Sequence, residues 1–242
     1  MISSRRARVS GGDRGDETRQ RLIKAAIDVF GRFGYEGAST RALAEAAGAN
    51  LAAIPYHFGG KEGLYLATAS YIAERIAERV GPVAERVAGE LTGEESGPAD
   101  RDACLRLLQE LLDRFAELVV LEEEAGQWAR LVVREQMHPT RAFEILYDGI
   151  MKKVLRLLAT LIGRLTGVAP DNEVTRLRAL TLLGQVLMFR TAHAAALRQM
   201  GWDKIGPREL AAIQAVVREN VVAIAGASAG DGDKAGAAEV RR

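Results

Sequence analysis

Apolar positions along the 242-residue chain recur almost everywhere at helical spacing. Leu22, Ala26, Val29 and Phe33 fall three or four residues apart, and Ile23, Ile27 and Phe30 widen the same stripe. This predicts a first helix with Asp16 as its N-cap and Gly34 as its stop. Ser39 is placed to cap a second helix, ended by Gly48 in a left-handed position. Asn50 is placed to cap a third, very short helix reaching about His57, which Gly59 and Gly60 break. Lys61 opens a fourth, long helix with Tyr65, Ile72, Ile76 and Val80 on one face; Pro82 predicts a break or kink in it.

The remaining stretches repeat the pattern. Leu105, Leu108, Leu112, Phe115 and Val119 form one stripe, and Met151, Leu155, Leu158, Ile162 and Leu165 another. Between them lies a shorter helix from Trp128 to Met137, ending before Pro139. Leu182, Val186, Phe189 and His193 line a long helix expected over 174–200, and Gly206-Pro207 starts the last, over 207–225. No strand pattern and no repeat of 20–50 residues is present. The expected fold class is all-α. A disordered basic arm (1–15) leads to a small N-terminal three-helix domain (16–62). A larger helical domain (63–225) follows, with a loop at 92–99 and a solvated tail at 226–242.

Composition narrows the class. Only 5% of residues are aromatic and six are proline. No apolar run reaches the roughly 18 residues of a membrane span, and the first residues lack a signal-peptide core. The single cysteine, Cys104, cannot form an internal disulfide. A soluble cytoplasmic protein with no membrane partner is expected. Charge is uneven: residues 1–61 carry ten Lys and Arg against six Asp and Glu, and the rest 23 against 26. A basic first quarter on a mildly acidic body points to a polyanion meeting the first part.

The second and third helices are short, joined by Gly48-Ala49 and preceded by an amphipathic helix. That is the sequence form of a helix-turn-helix. Small residues at Ala44, Ala47 and Ala49 allow the pair to pack closely. In such a unit the first helix crosses the DNA backbone, and the second presents its N-terminal residues to base edges in the major groove.

The stretches TRALAEAAG (40–48) and YHFGGKEGLY (56–65) resemble the DNA-binding domain of the TetR family of bacterial transcriptional regulators, and the resemblance spans roughly residues 18–65. The stretches REQMHPTRAFE (134–144) and LRQMGWDKIGP (197–207) resemble the C-terminal domain of its CecR (or CerR) subgroup. The resemblance implies a dimeric regulator that binds double-stranded operator DNA and a small-molecule effector, with no cofactor. It implies DNA contacts from Thr40 and Arg41 at the start of the second helix, from the Tyr56-His57 pair and from Lys61 on phosphate. Arg41 has the fork that suits guanine N7 and O6. Asn50, Leu51 and Ala53 fall on the recognition segment, where Leu51 and Ala53 suit thymine methyl groups. Phe58 is assigned to the domain core. Pro55 departs from the tyrosine common in the family and implies a short or irregular recognition helix.

In the larger half, polar and aromatic residues interrupt apolar helices at Trp128, Arg134, Glu135, His138, Phe143, Tyr147, Gln185, Phe189, Arg190 and His193. A ligand pocket between helices needs apolar walls with a few convergent polar groups, and this set could supply them. Arg134 and Glu135 could instead form a structural ion pair. The last two helices are expected to make the homodimer interface as a four-helix bundle. Three other readings stay open. A purely architectural DNA protein without a ligand is one, although the helical body is far larger than dimerisation requires. An activator of the same family has the same sequence form. Glu135 and His138 also make one Glu-x-x-His unit of a helical-bundle metalloenzyme, which needs two such units and further glutamates; no second one is present.

Overall fold

The computed structural model describes residues 10–92 and 101–226, and among these every regular element is helical. The helices are α1 (Ser10–Gly37), α2 (Thr40–Ala46), α3 (Ala53–Phe58), α4 (Lys61–Thr92), α5 (Arg101–Ala116), α6 (Glu123–Met137), α7 (Arg141–Leu146), α8 (Lys152–Thr166), α9 (Glu173–Thr191), α10 (His193–Met200) and α11 (Pro207–Gly226). π-helical turns at Glu117–Leu121 and Tyr147–Met151 follow α5 and α7. The expected tail beyond 226, the loop from 93 and the first nine residues of the basic arm lie outside the described residues.

The chain divides into two compact units. The first comprises Met1–Arg75 and Gly126–Gly149, and the second Ile76–Ala125 and Ile150–Arg242. In the first, Leu22, Ile23, Phe30, Leu43, Ile54, Leu64, Ile72 and Leu131 are fully buried. Ser39 caps α2, its hydroxyl accepting from the Ala42 N–H at 3.1 Å, a contact of about 1 kcal/mol. The helix closes in a Schellman turn: Ala49 N–H donates to the Ala44 carbonyl at 2.9 Å and Gly48 N–H to that of Glu45 at 3.0 Å. Gly48 takes the left-handed φ of 56° that this turn requires. In the second unit, α5 packs on α8 and α11, and α8 on α9. Leu108, Leu111, Leu112, Leu158, Ile162, Leu182, Val186 and Val221 fill that core.

Three sequence expectations need correction. α1 begins at Ser10, so residues 10–15 are helical and Asp16 lies inside the helix, not at its cap. α4 runs through Pro82 without interruption. The missing N–H costs up to about 3 kcal/mol, and burial of Val80, Ala84 and Val87 on either side offsets it. The long helix expected over 174–200 is two, α9 and α10, bent by 84°. At the break, Thr191 Oγ1 donates to the Leu187 carbonyl at 3.1 Å and His193 Nδ1 lies 3.2 Å from that of Phe189. Side chains that engage preceding carbonyls compete with the helical ladder and bend it. No single helix among the described residues is long and apolar enough to cross a membrane; the bent α9–α10 pair qualifies only by length and composition.

Candidate nucleic-acid interface

The first unit fastens a small exposed face onto a rigid base. Arg21 of α1 donates to the carbonyls of Ala47 and Gly48 at 3.4 and 3.3 Å, tying α1 to the turn between α2 and α3. Ala44 and Ala47 are buried and Ala49 is half-buried. Thr40 and Arg41 stand at the start of α2, both exposed. Arg41 approaches Glu45 only at 3.8 Å, with both side chains largely in solvent. An exposed pair of this kind is worth well under about 1 kcal/mol, so the Arg41 guanidinium is free to engage another acceptor.

The segment 50–58 explains Pro55. Asn50 Oδ1 accepts from Ala52 N–H at 2.9 Å, so it caps the turn ahead of α3, whose N-cap is Ala52. Ile54 N–H donates to the Leu51 carbonyl at 3.3 Å. That carbonyl is the acceptor a helical N–H at position 55 would have used. The first full helical bond, from Tyr56 N–H to the Ala52 carbonyl at 3.2 Å, comes after the proline. Pro55 therefore sits in the first turn, where its missing donor costs little.

Leu51 and Tyr56 are exposed, Tyr56 by 83%, and Ala53 is half-buried. The Leu51 and Tyr56 side chains therefore stand in solvent on the segment that leads into and forms α3. The Tyr56 ring lies edge-on to half-buried His57 at 4.8 Å. Phe58 is half-buried rather than in the core, with the Arg19 guanidinium 5.5 Å above its ring. Lys61 lies 4.4 Å over the Tyr35 ring and donates to the Glu36 carbonyl at 3.5 Å. No local pattern in the sequence announces these partners of Lys61 and Phe58, which lie on α1.

The residues expected to line a ligand pocket fall in both units. Trp128, Arg134, His138, Phe143 and Tyr147 are in the first, and Gln185, Phe189, Arg190 and His193 in the second. Phe143 and Tyr147 stack with centroids 5.7 Å apart. Trp128 is buried with its indole nitrogen unpartnered. Arg134 Nη2 donates to the Arg32 carbonyl at 3.4 Å. Glu135 is 1% exposed and does not pair with Arg134; it accepts from Tyr65 Oη at 2.5 Å and from Thr140 N and Oγ1, both at 3.0 Å. Burial, with the hydrogen bond to Glu135 next in weight, holds the Tyr65 phenol well above its ordinary pKa. His138 is exposed, so the Glu-x-x-His pair does not converge, and no metal-binding cluster exists among the described residues. Gln185 accepts from Asn220 of α11 at 2.8 Å. Arg190 donates to the carbonyls of Val119, Val120 and Glu122 at 2.6, 3.2 and 3.4 Å, and burial lowers its pKa. Its donors satisfy the carbonyls left open at the end of the π-turn.

Residues 22–68 match the model for the bacterial regulatory proteins of the tetR family. Residues 104–228 match the C-terminal domain of the HTH-type transcriptional dual regulator CecR. The chain belongs to the TetR family of bacterial transcriptional regulators. It is 31% identical over 189 residues to the dual regulator CecR of Shigella flexneri, covering 78% of this chain and 82% of that one. It is 46% identical over 68 residues to the transcriptional repressor AcnR of Corynebacterium glutamicum, or 28% of this chain and 36% of that one. A solved structure of AibR in complex with isovaleryl coenzyme A and operator DNA shares the fold, with a TM-score of 0.58 at 18% identity, over 83% of this chain and 96% of that one. The family comprises regulators, not enzymes.

Proposed function

We propose that this TetR-family regulator is a dimeric, cytoplasmic repressor released from its operator by a small molecule. The observation that carries the DNA reading is the exposed set Thr40, Arg41, Leu51 and Tyr56, presented by a helix pair whose turn Arg21 and Gly48 lock in place. In this reading 16–62 is the DNA-reading domain, and 63–225 binds the effector and dimerises. Arg41 reads a base, Leu51 and Ala53 meet thymine methyl groups, and Tyr56, His57 and Lys61 hold phosphates. The Asn50 carbonyl oxygen is taken by its own turn, which leaves its amide N–H groups to the DNA.

Two observations support dimerisation through α9 and α11. Leu177, Leu180, Leu187 and Met188 of α9 are exposed by 40–53%, and Val216 and Val222 of α11 by more than half. The α9 residues recur at helical spacing on one exposed face, and such a face beside exposed valines of the adjacent α11 needs a partner surface. A dimer then offers two reading heads to half-sites about one DNA turn apart. α4 contributes residues to both units, so an effector that shifts it changes that spacing. The coupling is reciprocal: an effector that weakens DNA binding is itself bound more weakly by the DNA complex. Sedimentation at micromolar concentration is expected to show a dimer that Leu180→Glu dissociates. A wild-type monomer contradicts the interface.

The DNA reading is tested by titrating DNA from upstream of the chain's own gene. Arg41→Ala is expected to cost about 1–3 kcal/mol on the best site and to relax preference at one base position. Tyr56→Phe weakens all sequences alike. Acyl-coenzyme A thioesters are suitable first probes for release, given the isovaleryl coenzyme A bound to AibR. Indifference of binding to both substitutions contradicts the assignment of this face.

A further inference from the structure

Against Glu62, at the start of α4, stands a cation that the helix-turn-helix does not include. Arg141 is the first residue of α7, and its side chain is 78% exposed. Its Nη1 donates at 3.0 Å to Glu62, the residue after Lys61. The backbone that carries Arg141 is anchored from below. Thr140 caps α7, accepting from Ala142 N–H at 3.1 Å. Its own N–H and hydroxyl donate to buried Glu135, which is bonded in turn to Tyr65 of α4. Ala142 and Leu146 are buried behind it. A segment 79 positions from Glu62 in sequence is thus fixed against the start of α4, with Arg141 and, one turn on, Glu144 outside.

We propose that Arg141 is a phosphate contact of the DNA complex, at the start of α4, and not merely the partner of Glu62. The proposal rests on the DNA reading above. An exposed Arg–Glu pair contributes under about 1 kcal/mol, so the guanidinium can leave or share Glu62 at little cost. It has five N–H donors, and a phosphate accepts two of them in parallel with charge assistance. Lys61 lies against Tyr35 in the free protein, so Arg141 is the more exposed cation at this end of α4. Glu62 then acts against DNA: its carboxylate occupies the arginine and repels the backbone.

The two roles predict opposite signs. With the full chain and the upstream DNA fragment, Arg141→Ala is expected to weaken operator and random DNA alike, several-fold. It should flatten the dependence of log K on log salt by about 0.9 per protomer. Arg141→Lys keeps most of the slope, and Glu62→Gln tightens binding. If Arg141→Ala and Glu62→Gln weaken binding equally, Arg141 is an internal clasp and the proposal falls. An unchanged slope in Arg141→Ala, with Arg41→Ala still weakening binding, also overturns it while leaving the DNA reading intact. Loss of all DNA binding by wild type overturns both.

Discussion

Gly63→Ala is expected to destabilise the protein by at least about 3 kcal/mol, lowering Tm by roughly 6–12 °C for a chain of this size. Gly63 lies in the first turn of α4, and its backbone is helical, so conformational freedom is not why glycine stands there. Close approach is. A β-carbon built on it would lie 1.8 Å from the Phe58 carbonyl oxygen and 2.9 Å from the carbonyl carbon. Both are backbone atoms, so no rotamer change relieves the overlap. Relief requires the C-terminus of α3 to move away from α4 through the Gly59–Gly60 turn. That displaces Tyr56 and His57, so operator affinity falls along with stability. Thermal unfolding and an operator titration of the one variant check both effects. An unchanged Tm would show that the α3–α4 turn opens freely and that the close approach constrains nothing.

Glu135→Ala is expected to cost about 3–5 kcal/mol. The substitution removes an acceptor of three hydrogen bonds and strands the Tyr65 hydroxyl, 3% exposed as a residue, among Phe30 and Tyr35. Tyr65→Phe alone should cost about 1–3 kcal/mol, because Glu135 keeps its Thr140 donors. The double variant should fall short of the sum of the single ones by about 1–2 kcal/mol, as expected for two groups in one network. Equilibrium denaturation of the four proteins measures this; strict additivity would remove Glu135 from its place as the link between α4 and α6. The pH dependence has a definite sign. The folded-state pKa of Tyr65 is raised above that of the unfolded chain, mainly by burial. Its contribution is therefore complete below about pH 10 and lost as pH rises beyond that. Tyr65→Phe should lack this part of the alkaline decline.

What could be read in advance was what local chemistry decides. Ser39, Gly48 and Gly59 act through their own backbone and immediate neighbours, so the bounds of α2 and the ends of the reader pair were legible. Pro82 does not break α4, because burial along the helix overrides a local preference that ends helices in isolation. The α9–α10 bend depends on where two side-chain rotors point, and an apolar stripe carries no record of that. Partners distant in sequence left no trace at all. Tyr65 and Glu135 are 70 residues apart, and Arg190 meets carbonyls about 70 residues before it, groups that every residue type possesses. Arg190 stands among the polar groups expected to line a ligand pocket, and its donors close the end of the π-turn after α5.

The face bearing Thr40, Arg41, Leu51 and Tyr56 is proposed to read a specific DNA sequence. Its most direct test is the affinity of the wild-type chain for the upstream fragment and for random DNA of equal length, each at two salt concentrations. Tighter binding to the upstream fragment by at least about a thousandfold, with a steep fall with salt on both, is the expected result. Equal affinity for the two fragments, with operators placed elsewhere in the genome also failing to compete, would contradict it.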